Sequence, residues 1–247
     1  MKTLAALLLL LVFPSFSAAQ VILGAHRQSV SCVAPAITTR LAPYNPANTC
    51  TGGCTNGNPI ANLADFDDGR SAPDSHGAAT YTTGVLSQPI MRFSNTVSGY
   101  VYTVTPLVGT YYVIANTSCS FCTLGAGNNG DQSLNWRINS DTIQVNSQGQ
   151  AVLVTTSTGV TGAWHLFILE YDSSNNVTVR MCNGGSCSII GSGNAGSHIP
   201  GAGMLSLGAM AGLDASFLGD MAEFGYDVSS SYSPTALAAW SWCWYHV

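Results

Sequence analysis

From Gln88 onward, apolar and polar positions alternate in short runs. Leu134, Trp136 and Ile138 interleave with Asn135, Arg137 and Asn139, and Val177, Val179 and Met181 interleave with Thr178 and Arg180. A period of two predicts strands with one buried face. Residues 100–105 alternate in the same way, and 110–115 (TYYVIA) are β-branched and aromatic. Residues 164–171 are apolar on both faces, as a central strand requires. Further short strands are predicted at 90–93, 142–145, 151–155, 204–207 and 217–226. Gly, Asn, Asp and Ser clusters separate these runs about every 8–12 residues, the spacing of a sandwich. One helix is predicted: Ser233 as N-cap, Pro234 in the first turn, then 235–240. Residues 42–85, rich in Pro, Gly, Asn and Asp, read as long loops with few strands. The fold class expected is all-β, an antiparallel two-sheet sandwich with one short C-terminal helix.

The first 20 residues have a different pattern. Lys2 supplies a charge, 4–13 are almost unbroken apolar, and Ser17, Ala18 and Ala19 offer a small-residue cleavage context. This order predicts a secretory signal peptide over 1–20, followed by a single secreted domain over 21–247 whose stretch 21–87 is loop-rich. The apolar run falls short of the roughly 20 residues a membrane span needs. Charge narrows the partners. The 247 residues hold 7 Lys and Arg against 12 Asp and Glu, and Lys2 is the only lysine. So sparse and acidic a balance argues against nucleic acid or an anionic membrane. A surface of Ser, Thr, Asn, Gln and Gly suits a neutral partner such as a sugar.

Eight cysteines in an exported chain predict disulfides rather than zinc. Three local pairs stand out: Cys50 with Cys54, Cys119 with Cys122, and Cys182 with Cys187. The last pair flanks Asn183-Gly184-Gly185, a hairpin turn that would bring the sulfurs together. Cys32 and Cys243 remain as a fourth pair.

The order of pieces after Gln88 carries a resemblance. QPIMRFSN, TYYVIAN, LGAGNNG and LNWRI are followed by TGAWHLFILEYDSSNNVTVRMCNGG, then LSLGAM, FLGDMAEFGYD and SYSPTALAAW. This order resembles the concanavalin A-like lectin/glucanase jelly roll in its laminin-G-like or pentraxin-like form. The resemblance implies two packed antiparallel sheets, one of them concave. It implies no reaction, because that fold hosts lectins, hydrolases, lyases and adhesion modules. A shorter piece, Cys32-Val33-Ala34-Pro35 with Thr38-Thr39-Arg40, resembles the start of the catalytic domain of fungal arabinofuranosidases, a sandwich of the same class.

Candidate chemistry is sparse. A retaining glucanase on this fold carries E-x-D-x-x-E on one strand, one carboxylate attacking while another protonates the leaving oxygen. Glu170-Tyr171-Asp172 begins that pattern, but Asn175 stands at the second glutamate, and Glu170 and Glu223 are the only glutamates. Glu170 is expected to pair with a donor such as Arg180. Asp214 matches the arabinofuranosidase acid in place, without a glutamate near 134–139 as nucleophile. A hydrolase reading would need a rearranged pair drawn from Glu170, Asp214, Asp220 and Glu223. There is no G-x-S-x-G elbow and no H-E-x-x-H pair. Calcium has candidate oxygen ligands in Asp65, Asp67, Asp68 and Asp74 on one loop, and in Asp220, without the EF-hand spacing.

For a ligand, the polar face of the sheet carrying Asn135, Arg137 and Asn139 offers amide and guanidinium donors. Tyr100, Tyr102, Tyr111 and Tyr112 are candidate aromatic platforms, Tyr112 foremost, with His165 as a core or groove histidine. Trp164 is assigned to the core, and Trp240, Trp242, Trp244 and Tyr245 to a packed C-terminal lid. Asn116-Thr117-Ser118 and Asn176-Val177-Thr178 are glycosylation sequons in a eukaryotic host. The function expected is a secreted, non-catalytic carbohydrate-binding or adhesion module, with no cofactor unless calcium. The alternatives are a glycoside hydrolase and a structural surface protein.

Overall fold

A computed structural model describes residues 32, 34, 37, 39–66, 71–73, 79–94, 100–103, 108–127, 134–147, 150–155, 159–197, 204–208, 217–227 and 233–247. The expected signal peptide lies outside them. In chain order the strands are β1 (Thr39–Leu41), β2 (Thr49–Cys50), β3 (Ile60–Ala64), β4 (Ser71–Pro73), β5 (Thr80–Thr82), β6 (Ile90–Phe93), β7 (Tyr100–Thr103), β8 (Gly109–Thr117) and β9 (Phe121–Gly127). Then come β10 (Leu134–Asn139), β11 (Thr142–Ser147), β12 (Gln150–Val154), β13 (Trp164–Tyr171), β14 (Asn176–Asn183), β15 (Ser186–Asn194), β16 (Met204–Leu207) and β17 (Gly219–Asp227). The helix is α1 (Pro234–Tyr245).

Two large antiparallel sheets form the body, as the alternation predicts. The first runs β15-β14-β13-β8-β17-β6-β5, with β1 paired to β17, and the second runs β12-β11-β10-β9-β16-β7. A small third sheet, β2-β3-β4, lies in the stretch read from sequence as loops. Its strands run two to five residues, too short to show a period, yet Ile60 and Leu63 are fully buried.

The two faces of the first sheet explain its apolar central strands. Tyr111, Val113 and Ala115 of β8 and Phe167 and Leu169 of β13 join Trp136 and Ile138 of the second sheet in one core. Tyr112, Ile114, Leu166 and Ile168, on the opposite face, pack under Leu237, Ala238, Trp240 and Tyr245 of α1. Each large side chain buried in this way contributes about 1.5–3 kcal/mol. The second core also explains why α1 continues five residues past the predicted stretch. Trp240 and Tyr245 are buried on the sheet, and the helix ends at His246 in the left-handed region with its N–H on the Trp242 carbonyl. Ser233 caps the start, accepting from the Ala236 N–H at 3.4 Å. Trp164, assigned from sequence to the core, is half-buried and packs against this second cluster.

The strand β15 was not foreseen. Its sequence SCSIIGSGN has no period, because as an edge strand it pairs only with β14 and buries neither face fully. The β14–β15 turn is the predicted one: Cys182 faces Cys187 in register, they are disulfide-bonded, and Gly184 and Gly185 supply the positive φ of a tight hairpin. Cys50–Cys54 and Cys119–Cys122 are bonded as expected, and Cys32 and Cys243 are each in a disulfide as well.

The β10–β11 turn is tied to the segment before β13 by one carboxylate. Asp141 accepts from the N–H groups of Gly159, Val160 and Thr161 and from the Thr161 hydroxyl. These bonds, led by that of Gly159, hold its carboxyl below the ordinary aspartate value. A depressed folded-state pKa contributes stability that is present above the unfolded value and is lost as pH falls through the folded one. The amide resonances of Gly159 and Val160 are therefore expected to titrate together, with a midpoint below the ordinary aspartate value. A midpoint at or above that value would remove Asp141 as the anchor.

Candidate functional site

The outer face of the second sheet carries a row of neutral and cationic hydrogen-bonding groups. Along β10, Leu134, Trp136 and Ile138 point into the core, so Asn135, Arg137 and Asn139 point out. On β11, Ile143 and Val145 are buried in the core, which places Thr142, Gln144 and Asn146 on the same outer face. The register pairs Asn135 with Asn146, Arg137 with Gln144, and Asn139 with Thr142. Gln144 Oε1 accepts from Arg137 Nη2 at 3.2 Å and from Asn139 Nδ2 at 3.1 Å. Its own amide nitrogen is thereby left on the other side of the carboxamide. Burial lowers the Arg137 pKa, and the group stays charged. Asn135 and Asn146 are buried, and Asn146 Oδ1 has no hydrogen-bond partner among the described residues. Arg137, Asn139 and Gln144 are therefore the members of the row that a ligand can reach.

The other predicted ligand residues do not join this row. Tyr112 is corrected outright. It is 1% exposed beneath α1 and cannot stack on a ligand. Tyr100 and Tyr111 are buried too; the Tyr100 hydroxyl donates to the Ile60 carbonyl at 2.8 Å. His165 faces the space between the sheets, its ring 5.5 Å from that of Phe167. Its Nδ1 bonds Asn183 Oδ1, and its buried Nε2 has no hydrogen-bond partner among the described residues. Gln144 and Asn146 went unread in the sequence, although TIQVNS shows the same alternation as LNWRI.

The candidate acids are scattered. Glu170 bonds Arg180 at 2.7 Å, the partner expected from sequence. Asp220 takes both Arg92 Nε and Nη2, at 2.7 and 2.9 Å. Asp214, Asp67, Asp68 and Asp74 lie outside the described residues. Asp65 is buried and accepts the Arg40 N–H at 3.0 Å. Among the described residues no three His, Cys, Asp or Glu gather as a metal site. Glu170 lies opposite Thr110 and Glu223 beside Ile114, on opposite flanks of β8. That puts their backbones roughly 16 Å apart, with side chains held by different partners. The geometry of a glycosidase pair needs about 5–9.5 Å between carboxyls. Asp172 does share a shallow cavity of about 240 Å³ with Glu170. It is engaged there as a turn cap, accepting from Asn176 Nδ2 and from the Asn176 and Ser174 N–H groups, which keep it ionised.

Glu223 forms the most connected polar centre, and it is closed to solvent. At 0% exposure it accepts from Arg40 Nε at 2.9 Å, Tyr44 at 2.9 Å, Tyr112 at 2.5 Å and Tyr245 at 2.6 Å. The Arg40 guanidinium lies over the rings of Phe66 and Trp240, at 4.9 and 5.2 Å. Burial first, and then the Glu223 charge, pushes the Tyr112 and Tyr245 hydroxyls far above the ordinary tyrosine value, so both remain donors. This centre joins β1, β8, β17 and α1; it has no room for a substrate.

No protein-family profile matches the chain, and no curated protein matches its sequence. Solved structures do match. An arabinofuranosidase complexed with arabinofuranosyl-α-1,2-xylobiose aligns with a TM-score of 0.58 at 13% identity, over 76% of this chain and 51% of that one. The binding domain of botulinum neurotoxin serotype D aligns with a TM-score of 0.54 at 8% identity, over 83% of this chain and 51% of that one. A Trypanosoma rangeli sialidase aligns with a TM-score of 0.54 at 12% identity, over 86% and 33%. The chain spans about half the length of the first two. What is shared at these identities is the β-sandwich, the level at which the resemblance read from sequence holds.

Proposed function

We propose that this protein is an extracellular module that binds a glycan without cleaving it, on the outer face of the second sheet. The observation that carries this reading is the accessible group of Arg137, Asn139 and Gln144, which sets amide and guanidinium groups side by side on adjacent strands. Sugar hydroxyls donate and accept at once, which matches carboxamides and guanidinium better than it matches apolar walls. The dispersed carboxylates support binding over hydrolysis. The oxidised cysteines, and the lack of any described helix long and apolar enough to cross a membrane, agree with an extracellular setting.

A glycan array probed with and without EDTA, beside a release assay on plant and microbial polysaccharides, tests the reading. Binding that survives the chelator, with no sugar released, is the expected result. Released products would replace it with a hydrolase, and silence in both arms with a structural or adhesive module. Arg137→Ala is expected to weaken any glycan hit about tenfold or more, because a hydrogen bond to a charged group is worth about 1.5–3 kcal/mol. Isothermal titration against the strongest array ligand measures it; unchanged affinity would move the site elsewhere.

A further inference from the structure

Two sequons lie on the first sheet, and their settings differ. Asn116 is half-buried in the central strand β8, between Trp164 of β13 and Asp220 of β17. The next residue, Thr117, is fully buried with its hydroxyl 3.1 Å from the Cys119 sulfur. Asn176 is exposed at the first position of β14, just after the turn from Asp172. Its Nδ2 donates one hydrogen bond to Asp172 Oδ2 at 2.8 Å, and its Oδ1 accepts from Asn194 Nδ2 at 2.7 Å. Thr178, the third sequon residue, lines the same shallow polar cavity as Asn176, together with Thr110, Glu170 and Arg180. The side chain is thus held in place, and beside it an open depression of hydroxyl, carboxylate and guanidinium groups leaves room for a sugar ring.

We propose that Asn176, and not Asn116, is an N-glycosylation site of this protein. Attachment substitutes one of the two hydrogens on Nδ2. The amide nitrogen attacks the anomeric carbon of an oligosaccharide carried on a lipid pyrophosphate. The C–N bond forms as the C–O bond to pyrophosphate breaks, the lipid pyrophosphate leaves, and the amide loses a proton. The remaining N–H still serves Asp172, so the turn keeps its cap after modification. Asn116 also borders a shallow depression, with Arg92, Ser118 and Asp220, but it is half-buried there, whereas Asn176 is exposed.

The test is secretion of the full chain from a eukaryotic cell line. Intact mass is read before and after enzymatic glycan release in oxygen-18 water, followed by peptide mapping. The expected result is a mass loss on release and recovery of position 176 as labelled aspartate. Thr178→Ala should abolish that label while leaving Asn176 and its hydrogen bonds in place, and N176Q should abolish it by removing the acceptor amide. A peptide carrying Asn176 that is wholly unmodified, or label at Asn116 alone, overturns the proposal. If either variant fails to be secreted, the wild-type map decides by itself.

Discussion

Glu223→Gln will lower the free energy of unfolding by about 3–5 kcal/mol, the cost of removing one partner from a buried ion pair. The reason lies in what stays behind. Arg40 is largely buried between Phe66 and Trp240, and without Glu223 its charge has no counter-ion within bonding distance among the contacts described. The three tyrosine hydroxyls then face a neutral carboxamide, whose NH2 group opposes one of these donors. For a domain of this size the loss corresponds to roughly 10 °C in the melting midpoint. Urea unfolding with the disulfides intact measures it. A double variant, R40M with E223L, is expected to recover only the part of the loss due to the unpaired charge, since the buried Tyr112 and Tyr245 hydroxyls still lose their acceptor. If Glu223→Gln shifts stability by less than about 1 kcal/mol, the centre does not hold the layers together.

Gly225→Ala is expected to be nearly as damaging, by about 3 kcal/mol, the upper end of overpacking in a filled core. A methyl at position 225 would sit 2.0 Å from Tyr112 Cε1 and 2.6 Å from its hydroxyl oxygen. The nearest backbone is not the obstacle; the ring itself is, and it is fixed by its bond to Glu223 and by Trp240 edge-on at 6.1 Å. Tyr112 must therefore leave its place or β17 must part from β8. The double variant with Tyr112→Phe should be less than additive, because the first change already breaks the Tyr112–Glu223 bond. Calorimetry on the two single variants and the double variant resolves this. Full additivity would mean that the glycine and the ring are not coupled.

Much of the fold was legible because its signals are local. LNWRI, NVTVRM and WHLFILEY announce one-sided and two-sided strands by their period alone, and Cys182 with Cys187 around two glycines announces a hairpin. What stayed hidden depends on distant partners. The two-residue and three-residue strands of 39–73 pair where tertiary contacts put them, with no period to read. Tyr112 looked like a platform because an apolar strand under a helix reads the same as one facing a groove. Of the candidate site, Asn135, Arg137 and Asn139 followed from alternation, and Gln144 and Asn146 could have followed from the same rule applied to the next strand. No spacing rule could have joined Arg40 to Glu223, because pairing between strands so far apart in the chain leaves no trace in sequence order.

That pairing also orders events during synthesis. Arg40 and Glu223 are 183 positions apart. At usual translation speeds of 5–20 residues per second, roughly 10–40 s pass between their appearance on the ribosome. Throughout that interval the guanidinium must stay hydrated, and β1 lacks β17, the strand it pairs with. The helix that closes over the carboxylate emerges later still. The protein therefore cannot complete its interior vectorially. It waits, half-assembled, for its last segment, and during that wait it depends on whatever shields nascent chains from one another.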